Sequence, residues 1–561
     1  MSARVLKVRA SRTSRREAGV RGFAMRISKQ IMKGAWNMCK RKVVWGLVLA
    51  AVVFYGIQTG NACTPPPVVD LTAAPNETVT GVTMVFDGNS SYAQGGKTIV
   101  KYEWDWTNDG VYDYNEVPPC DGIATHAYTS ADTYTAKLRV TDNRGLTAVD
   151  TCTVHISLKV WYVDVNAMGN NDGSLWGNAF TDLQDALAAA DCNDEVWVAE
   201  GVYKPGTSRS STFSITTDIG IYGGFSGIET ARSQRDFNYN ETILSGEIGT
   251  IYDSDNSYHV VTTWPFATAT IDGFTVQCGN ANGTNWPDSY GGGILCRSAV
   301  NISNCIIGYN KGRYGAGVCA GAECSNSPAA ITNCIFIDNW TTDFNDGKGG
   351  GLFNESDSTI TNCAFLVNDA DKGGGVYNDS NAYDENGSSP NFINCTFALN
   401  DASSGSGMEN VKSSPTITNC IVCCNLTYGY NDNRQIKNYW DANTTISYCD
   451  IQDSNGSGLN WDDTLGVDGG GNIDADPVFL EIDHPTGYDG IWRTADDGFR
   501  LATYNPPWTW SSSPCIDSAD GNSAPLTDIA GCGRVDVNDI ANTGTGDPNY
   551  VDMGAYEYND D

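Results

Sequence analysis

Five glycine-rich triplets, Gly291-Gly292-Gly293, Gly315-Ala316-Gly317, Gly349-Gly350-Gly351, Gly373-Gly374-Gly375 and Gly405-Ser406-Gly407, are each preceded by a side chain with recognition chemistry or a small hydroxyl. Those residues are Tyr290, Tyr314, Lys348, Lys372 and Ser404. Stacked on one another, they make a short aromatic and basic strip. Tyrosine rings offer a flat apolar surface to sugar rings, and lysines pair with acidic glycans, so Tyr290, Tyr314, Lys348 and Lys372 are the candidate carbohydrate-binding residues. A second candidate is the oxygen-rich segment holding Asp105, Asn108, Asp109 and Asp113. Hard cations take ligands of that type, and calcium is the one cofactor the sequence suggests, although the spacing is not that of an EF-hand loop.

Composition narrows the partners. The chain has 561 residues and a formal charge of -33, with only 18% charged residues and 61 glycines. Its first 62 residues hold 13 Lys and Arg against one Glu, which leaves 21 basic and 66 acidic residues in the remainder. A body so acidic repels nucleic acid and anionic membrane surfaces, and a nucleic-acid function is excluded on that ground. A polysaccharide, a cell-surface glycan or another surface protein remains.

The elements that would position the strip repeat with it. Behind each triplet comes aliphatic-x-Asn-Cys-x-apolar-x-x-Asn, as in Ile331-Thr332-Asn333-Cys334-Ile335-Phe336-Ile337-Asp338-Asn339. The cysteines fall at Cys305, Cys334, Cys363, Cys395, Cys420 and Cys449, spaced 29, 29, 32, 25 and 29 residues apart. Each unit holds strands of three to five residues without helical period. A coil that short cannot bury an apolar face alone, whereas stacked neighbours can. The spacing therefore predicts an all-β, right-handed parallel β-helix of about nine coils, each rising ~4.8 Å. Asn310, Asn339, Asn368, Asn400 and Asn425 are expected to form a hydrogen-bonded ladder at a tight turn, and the cysteine column to pack as small apolar side chains.

Six segments follow along the chain. Residues 1–62 read as a basic n-region and signal peptide, with an apolar run at 43–57 and cleavage after Ala62. Lipidation of Cys63 is the weaker alternative, and no transmembrane segment is expected after cleavage. Residues 63–70 form a proline-rich linker. Residues 71–157 alternate as a small β-sandwich, in which Cys120 and Cys152 are disulfide candidates. Residues 160–259 read as a cap and early coils, opening with a strand at 160–164 and a Gly/Asn turn, then a helix of about ten residues behind a capping box at Thr181-Asp182-Leu183-Gln184. Regular coils occupy 260–480, and 481–561 closes that end, with Cys515 and Cys532 as a second disulfide candidate.

Three resemblances attach to these segments. Phe86-Asp87-Gly88-Asn89-Ser90-Ser91, Tyr102-Glu103-Trp104-Asp105-Trp106, His126-Ala127-Tyr128 and Val140-Thr141-Asp142-Asn143-Arg144-Gly145 resemble the PKD domain, an immunoglobulin-like sandwich. That likeness implies that Trp104 and Tyr128 are core residues. The pairing of Gly-Gly-x-aliphatic with Phe-x-x-Asn resembles the repeats of chlamydial polymorphic outer-membrane proteins, surface β-helices linked to adhesion; Ile307 and Val422 replace the Phe in two copies. Ser513-Pro514-Cys515-Ile516-Asp517, Thr527-Asp528-Ile529-Ala530-Gly531 and Val551-Asp552-Met553-Gly554-Ala555-Tyr556-Glu557 look like the closing region of choice-of-anchor Q proteins, exported bacterial β-helices.

These point to a surface or secreted scaffold for adhesion or carbohydrate binding. Because many pectin-lyase-like β-helices cleave polysaccharides, a lyase or glycoside hydrolase is the alternative. Of the motif set of polygalacturonases the chain holds only Asp462-Asp463, and no catalytic residue is assigned.

Overall fold

A computed structural model describes residues 65–116, 119–250, 253–321, 327–380, 388–427, 435–503 and 512–558. The signal-peptide reading of 1–62 and the lipidation reading of Cys63 lie outside the described residues. The chain divides into two compact units. One is built on 83–126 and 133–154, and the other on 155–558, to which the segments Glu77–Val82 and Ala127–Asp132 also belong.

The first unit is an antiparallel sandwich. Strand Ile99–Asp105 pairs with Tyr114–Glu116 on one side and Asp132–Asp142 on the other. Alternation along it and its neighbour buries Tyr102, Trp104, Leu138 and Val140 against Met84 and Phe86. Trp104 and Trp106 stack at 5.7 Å inside this core. Asn108 takes a left-handed turn at φ 57° in the inserted loop that follows.

In the second unit the strands run parallel in four sheets, among the described residues of eleven, nine, eight and six strands. Each of the six coils between Ala269 and Tyr439 contributes one strand to each. The coil at Cys334, for example, supplies Ala329–Thr332 to the first sheet, Ile335–Ile337 to the second, Trp340–Thr341 to the fourth and Leu352–Asn354 to the third. Strands of the same sheet pair in register from coil to coil, so equivalent side chains fall directly above one another. Ile302, Ile331 and Ile360, with Phe336, Phe365 and Phe397, fill the interior. The phenylalanine rings stack at 4.5 and 4.8 Å, nearly coplanar. All six column cysteines are buried and unbridged. Their thiols donate to carbonyls of the same and the preceding coil, as Cys334 does to Thr332 at 3.3 Å and to Ile302 at 3.6 Å.

Asparagine closes the corners. Asn310, Asn339, Asn368, Asn400 and Asn425 point inward, and each amide nitrogen donates to the next amide oxygen at 3.1, 2.9, 2.9 and 2.8 Å. The residue before each, Tyr309, Asp338, Val367, Leu399 and Cys424, is left-handed, with φ between 52° and 60°. A second asparagine series, in the motif Asn-Cys, was given no role in the sequence. Asn304, Asn333, Asn362, Asn394 and Asn419 are themselves left-handed and join the first sheet to the second. The glycine triplets have two reasons. Gly349 stands at φ 67°, and a Cβ on Gly350 would lie 2.6 Å from the carbonyl oxygen of Gly374 in the next coil.

The ends differ from expectation. The helix is Leu183–Ala189, seven residues rather than ten, and its N-cap is Asp182, whose carboxylate accepts from the Gln184 amide at 2.9 Å. Its buried Leu183, Ala186 and Leu187 close the core at that end. Parallel pairing runs on past Ile451, with Val467 against Thr445 and Ile473 against Asp450, and the loop between lays Trp461 and Leu465 against the core.

Beyond it, the described residues of 477–503 and 512–558 do not close the end. They fold back along the outer face of the second sheet, where Phe499, Ile529, Ala555 and Tyr556 cover Ile335, Ile337, Ala364, Leu366 and Ala398. The second asparagine series docks this return: Asn362 donates to Thr527 O at 2.7 Å, Asn394 to Asp552 O at 3.0 Å, and Asn419 to Asp520 O at 2.9 Å.

Candidate functional site

With the second sheet covered, the outer face of the third carries most of the aromatic and charged side chains. Tyr290, Tyr314, Lys348 and Lys372 are joined by parallel bridges from coil to coil, at the entrance to that sheet. Ser404 continues the column beside Lys372. One residue along the strand from the triplet's aliphatic, the outward positions form a second column of Leu295, Cys319, Phe353, Tyr377 and Glu409, in register. The two columns lean together. Tyr290 and Tyr314 lie 4.6 Å apart, Phe353 sits 5.8 Å from Tyr314 and 5.7 Å from Tyr377, and Trp286 meets Tyr290 at 4.9 Å. This apolar cluster lies outside the coil interior.

Its charges are compensated. Lys348 Nζ lies 3.9 Å from Asp379 Oδ2 and 4.9 Å above the Tyr377 ring. Lys372 Nζ reaches Asp346 Oδ1 at 3.1 Å, and the Tyr314 hydroxyl donates to Asp346 Oδ2 at 2.9 Å. Burial would raise the Asp346 carboxyl, but these two donors and the lysine charges hold it below the usual range. Each lysine thus has a carboxylate partner, Asp379 for Lys348 and Asp346 for Lys372. Phe344, on the loop that carries Asp343 and Asp346, is 86% exposed.

Three further carboxylates belong here that the sequence reading passed over. Glu355 and Asp379 lie in adjacent coils, one residue beyond the register partners Asn354 and Asn378. Burial, with the Asp379 charge added, pushes the Glu355 carboxyl up to about 7. Burial likewise pushes Glu409 up to about 7, against the pull of Ser404, Lys372 and Lys348. Its Oε2 is buried with no hydrogen-bond partner. The signal was present: Leu352-Phe353-Asn354-Glu355 and Val376-Tyr377-Asn378-Asp379 repeat an aromatic-Asn-acid pattern directly behind the third and fourth triplets.

Other candidates change role. In the sandwich, Asp105 is buried and accepts from the amides of Asp109 at 3.2 Å and Gly110 at 3.0 Å, with Lys137 at 3.7 Å. Asp113 accepts from the Trp106 amide at 2.9 Å, and Asp109 from Val111 at 2.8 Å. These carboxylates organise the turn, and among the described residues no group of three or more His, Cys, Asp or Glu is placed to hold a metal. Asp105, Asp109 and Asp113 cap backbone amides of this loop, and Asn108 is its left-handed residue.

Both proposed disulfides are absent. Cys120 and Cys152 are free. Cys152 lies in strand Thr147–Ser157, which two strands separate from Tyr114–Glu116, the strand that leads to Cys120. Three strand spacings of ~4.8 Å exceed the reach of a disulfide, whose Cα atoms stand at most about 7 Å apart. Cys515 and Cys532 are free as well. Cys515 is buried and donates to Asp450 Oδ2 at 3.1 Å, while Cys532 sits in a turn held by Asp528. His259 is buried with Nδ1 on Gly291 O at 3.0 Å, and His484 pairs with Glu481 at 3.0 Å.

A family model of the PKD domain matches residues 64–156. The first PKD domain of the Vibrio cholerae metalloprotease PrtV is 24% identical, over 17% of this chain and 99% of that one, with a TM-score of 0.13. A structure of carbohydrate-binding modules from the β-sandwich superfamily is 27% identical over 21% of this chain, with a TM-score of 0.16; the chain spans 43% of that relative's length. Over the coils, the pectate lyase Pel9A is 14% identical, covering 72% of this chain and 98% of that one, with a TM-score of 0.38. Residues 64–156 thus match a PKD domain, and the parallel sheets of the coils that follow form a β-helix. No helix among the described residues is long and apolar enough to cross a membrane.

Proposed function

We propose that the outer face of the third sheet binds a polysaccharide and that the chain is an exported scaffold, secreted or held at the cell surface. The observation that carries this reading is the in-register ladder Tyr290, Tyr314, Lys348 and Lys372 leaning on Phe353 and Tyr377. Aromatic rings repeated every coil recur at ~4.8 Å, which suits an extended chain of sugars better than a single compact ligand. Because Asp346 and Asp379 offset both lysines, the face fits neutral sugars, with the charged pairs donating and accepting hydrogen bonds around the rings. The acidic body and the apolar run at 43–57 support an exported protein.

The test is a panel of soluble and insoluble polysaccharides run with the full chain and with Tyr314→Ala. Retention on at least one neutral polymer, reduced in the variant, supports the reading; equal retention of both proteins on every polymer would sink it.

One observation favours a hydrolytic second reading. A carboxyl held protonated near neutral pH, Glu355, stands beside Asp379, and such unequal pairs perform general acid catalysis in glycoside hydrolysis. Release of reducing ends that disappears in Glu355→Gln, with binding retained, would establish it.

A further inference from the structure

Strand Ile421–Cys423 of the second sheet ends in two adjacent cysteines. Along an extended strand neighbouring side chains turn to opposite faces, and on that rule Cys423 and Cys424 should be separated by the sheet. The backbone breaks the rule: Cys424 is left-handed, with φ 60°. Both sulfurs end on the side covered by the returning C-terminal region. There Cys423 is buried with Leu501, Cys515, Ile516 and Met553, and half-buried Cys424 packs against the same cluster. The corner is held independently of the thiols, since the Cys424 amide donates to Gln452 Oε1 at 2.7 Å. The third thiol of the cluster, Cys515, is committed to Asp450. In the other coils this corner reads Gly308-Tyr309, Ile337-Asp338, Leu366-Val367 and Ala398-Leu399.

We infer that Cys423 and Cys424 are a redox modification site, a vicinal dithiol that a low-molecular-weight disulfide such as oxidised glutathione converts to a disulfide. The half-buried Cys424 is the attacking sulfur. As thiolate it attacks one sulfur of the small disulfide, and one small thiolate leaves. Cys423 then loses its proton to solvent and attacks the Cys424 sulfur, and the second small thiolate leaves. The protein gives up two electrons and two protons, and the small disulfide becomes two thiols. Hydrogen bonding between the two cysteines suits these roles, since it holds the Cys424 thiol below its ordinary value and, with burial, raises Cys423.

The experiment treats the native full chain with millimolar oxidised glutathione, then blocks remaining thiols with N-ethylmaleimide in denaturant and digests with trypsin. The peptide of residues 413–434 holds Cys420, Cys423 and Cys424. It should lose two hydrogens and carry a single maleimide, on Cys420, while Cys423→Ser should retain a stable glutathione adduct on Cys424. A cross-link from this peptide to the one holding Cys515 would overturn the assignment. So would an unmodified Cys423 and Cys424 in a sample whose exposed Cys192 is glutathionylated.

Discussion

The Asn339 side chain donates to Asn368 Oδ1 at 2.9 Å, and the Asn339 backbone amide donates to the same oxygen at 3.2 Å. One fully buried acceptor thus satisfies two donors of the preceding coil, while the Asn368 amide donates to Phe336 O at 3.0 Å and to Asn400 at 2.9 Å. Asn368→Ala removes all four bonds at once. With roughly 1–3 kcal/mol for each buried group left unpaired and partial relaxation around it, the variant should lose about 3–5 kcal/mol. The urea midpoint should fall accordingly, and a loss under 1 kcal/mol would show that the ladder is ornamental to stability.

The returning C-terminal region should be more stable in mild acid. Burial pushes the carboxyls of Asp450 and Asp497 up to about 6. Their folded values exceed the unfolded value of roughly 3.9, so the native state binds protons more tightly, and this contribution is complete below about pH 4 and lost as pH rises through 6. Asp497→Asn keeps the acceptor for the Tyr556 hydroxyl, which lies 2.7 Å from Asp497 Oδ2, but removes the titration. Relative to the variant, the native protein should lose about 2–3 kcal/mol between pH 4 and pH 7. Parallel stability curves for the two would exclude Asp497 as the source.

The coil period, the inward asparagines and the strip before the glycines were all legible, because each repeats at fixed spacing and a stack in register converts spacing into columns. What stayed hidden lacks that periodicity. The return of 477–558 over the second sheet is made by single contacts, such as Arg493 NH2 on Asn333 O at 3.0 Å, that follow no repeat. The neutralising partner of Lys372, Asp346, sits in the loop 342–347, whose sequence does not repeat from coil to coil, so no column announced it. Strand alternation alone would set Cys423 and Cys424 on opposite faces, and the left-handed φ of Cys424 that undoes this shows only in the backbone.

The second asparagine series makes the docking of that return testable. Asn394 donates to Asp552 O at 3.0 Å and to Gly554 O at 3.2 Å, and all of these groups are buried. Asn394→Ala leaves two carbonyls unpaired and should weaken local docking by about 2–3 kcal/mol. Limited proteolysis then cuts first within 477–558, at a rate raised at least tenfold. Cleavage that begins instead within the regular coils would show that the C-terminal region does not depend on this contact.

Asp346 offers the most direct control over what the strip recognises. It accepts from both Tyr314 and Lys372 and lies 3.5 Å from the Arg313 guanidinium. Asp346→Asn preserves shape and one acceptor but withdraws the negative charge, so Lys372 and Arg313 lose their shared counterion. Exposed charges of this kind are worth roughly 0.5–1 kcal/mol each at low salt and are screened beyond about 8–10 Å at physiological ionic strength. On the proposed reading, the native protein binds a neutral glucan or mannan with little dependence on salt. The variant should keep that binding within about twofold and gain roughly three- to tenfold in affinity for a polyuronate, with the gain abolished by 0.5 M salt. Affinity electrophoresis in gels containing each polymer reads both effects. A polyuronate gain that survives high salt would mean that the change acts through shape rather than charge, and loss of neutral binding would make Asp346 a direct ligand contact instead of a counterion.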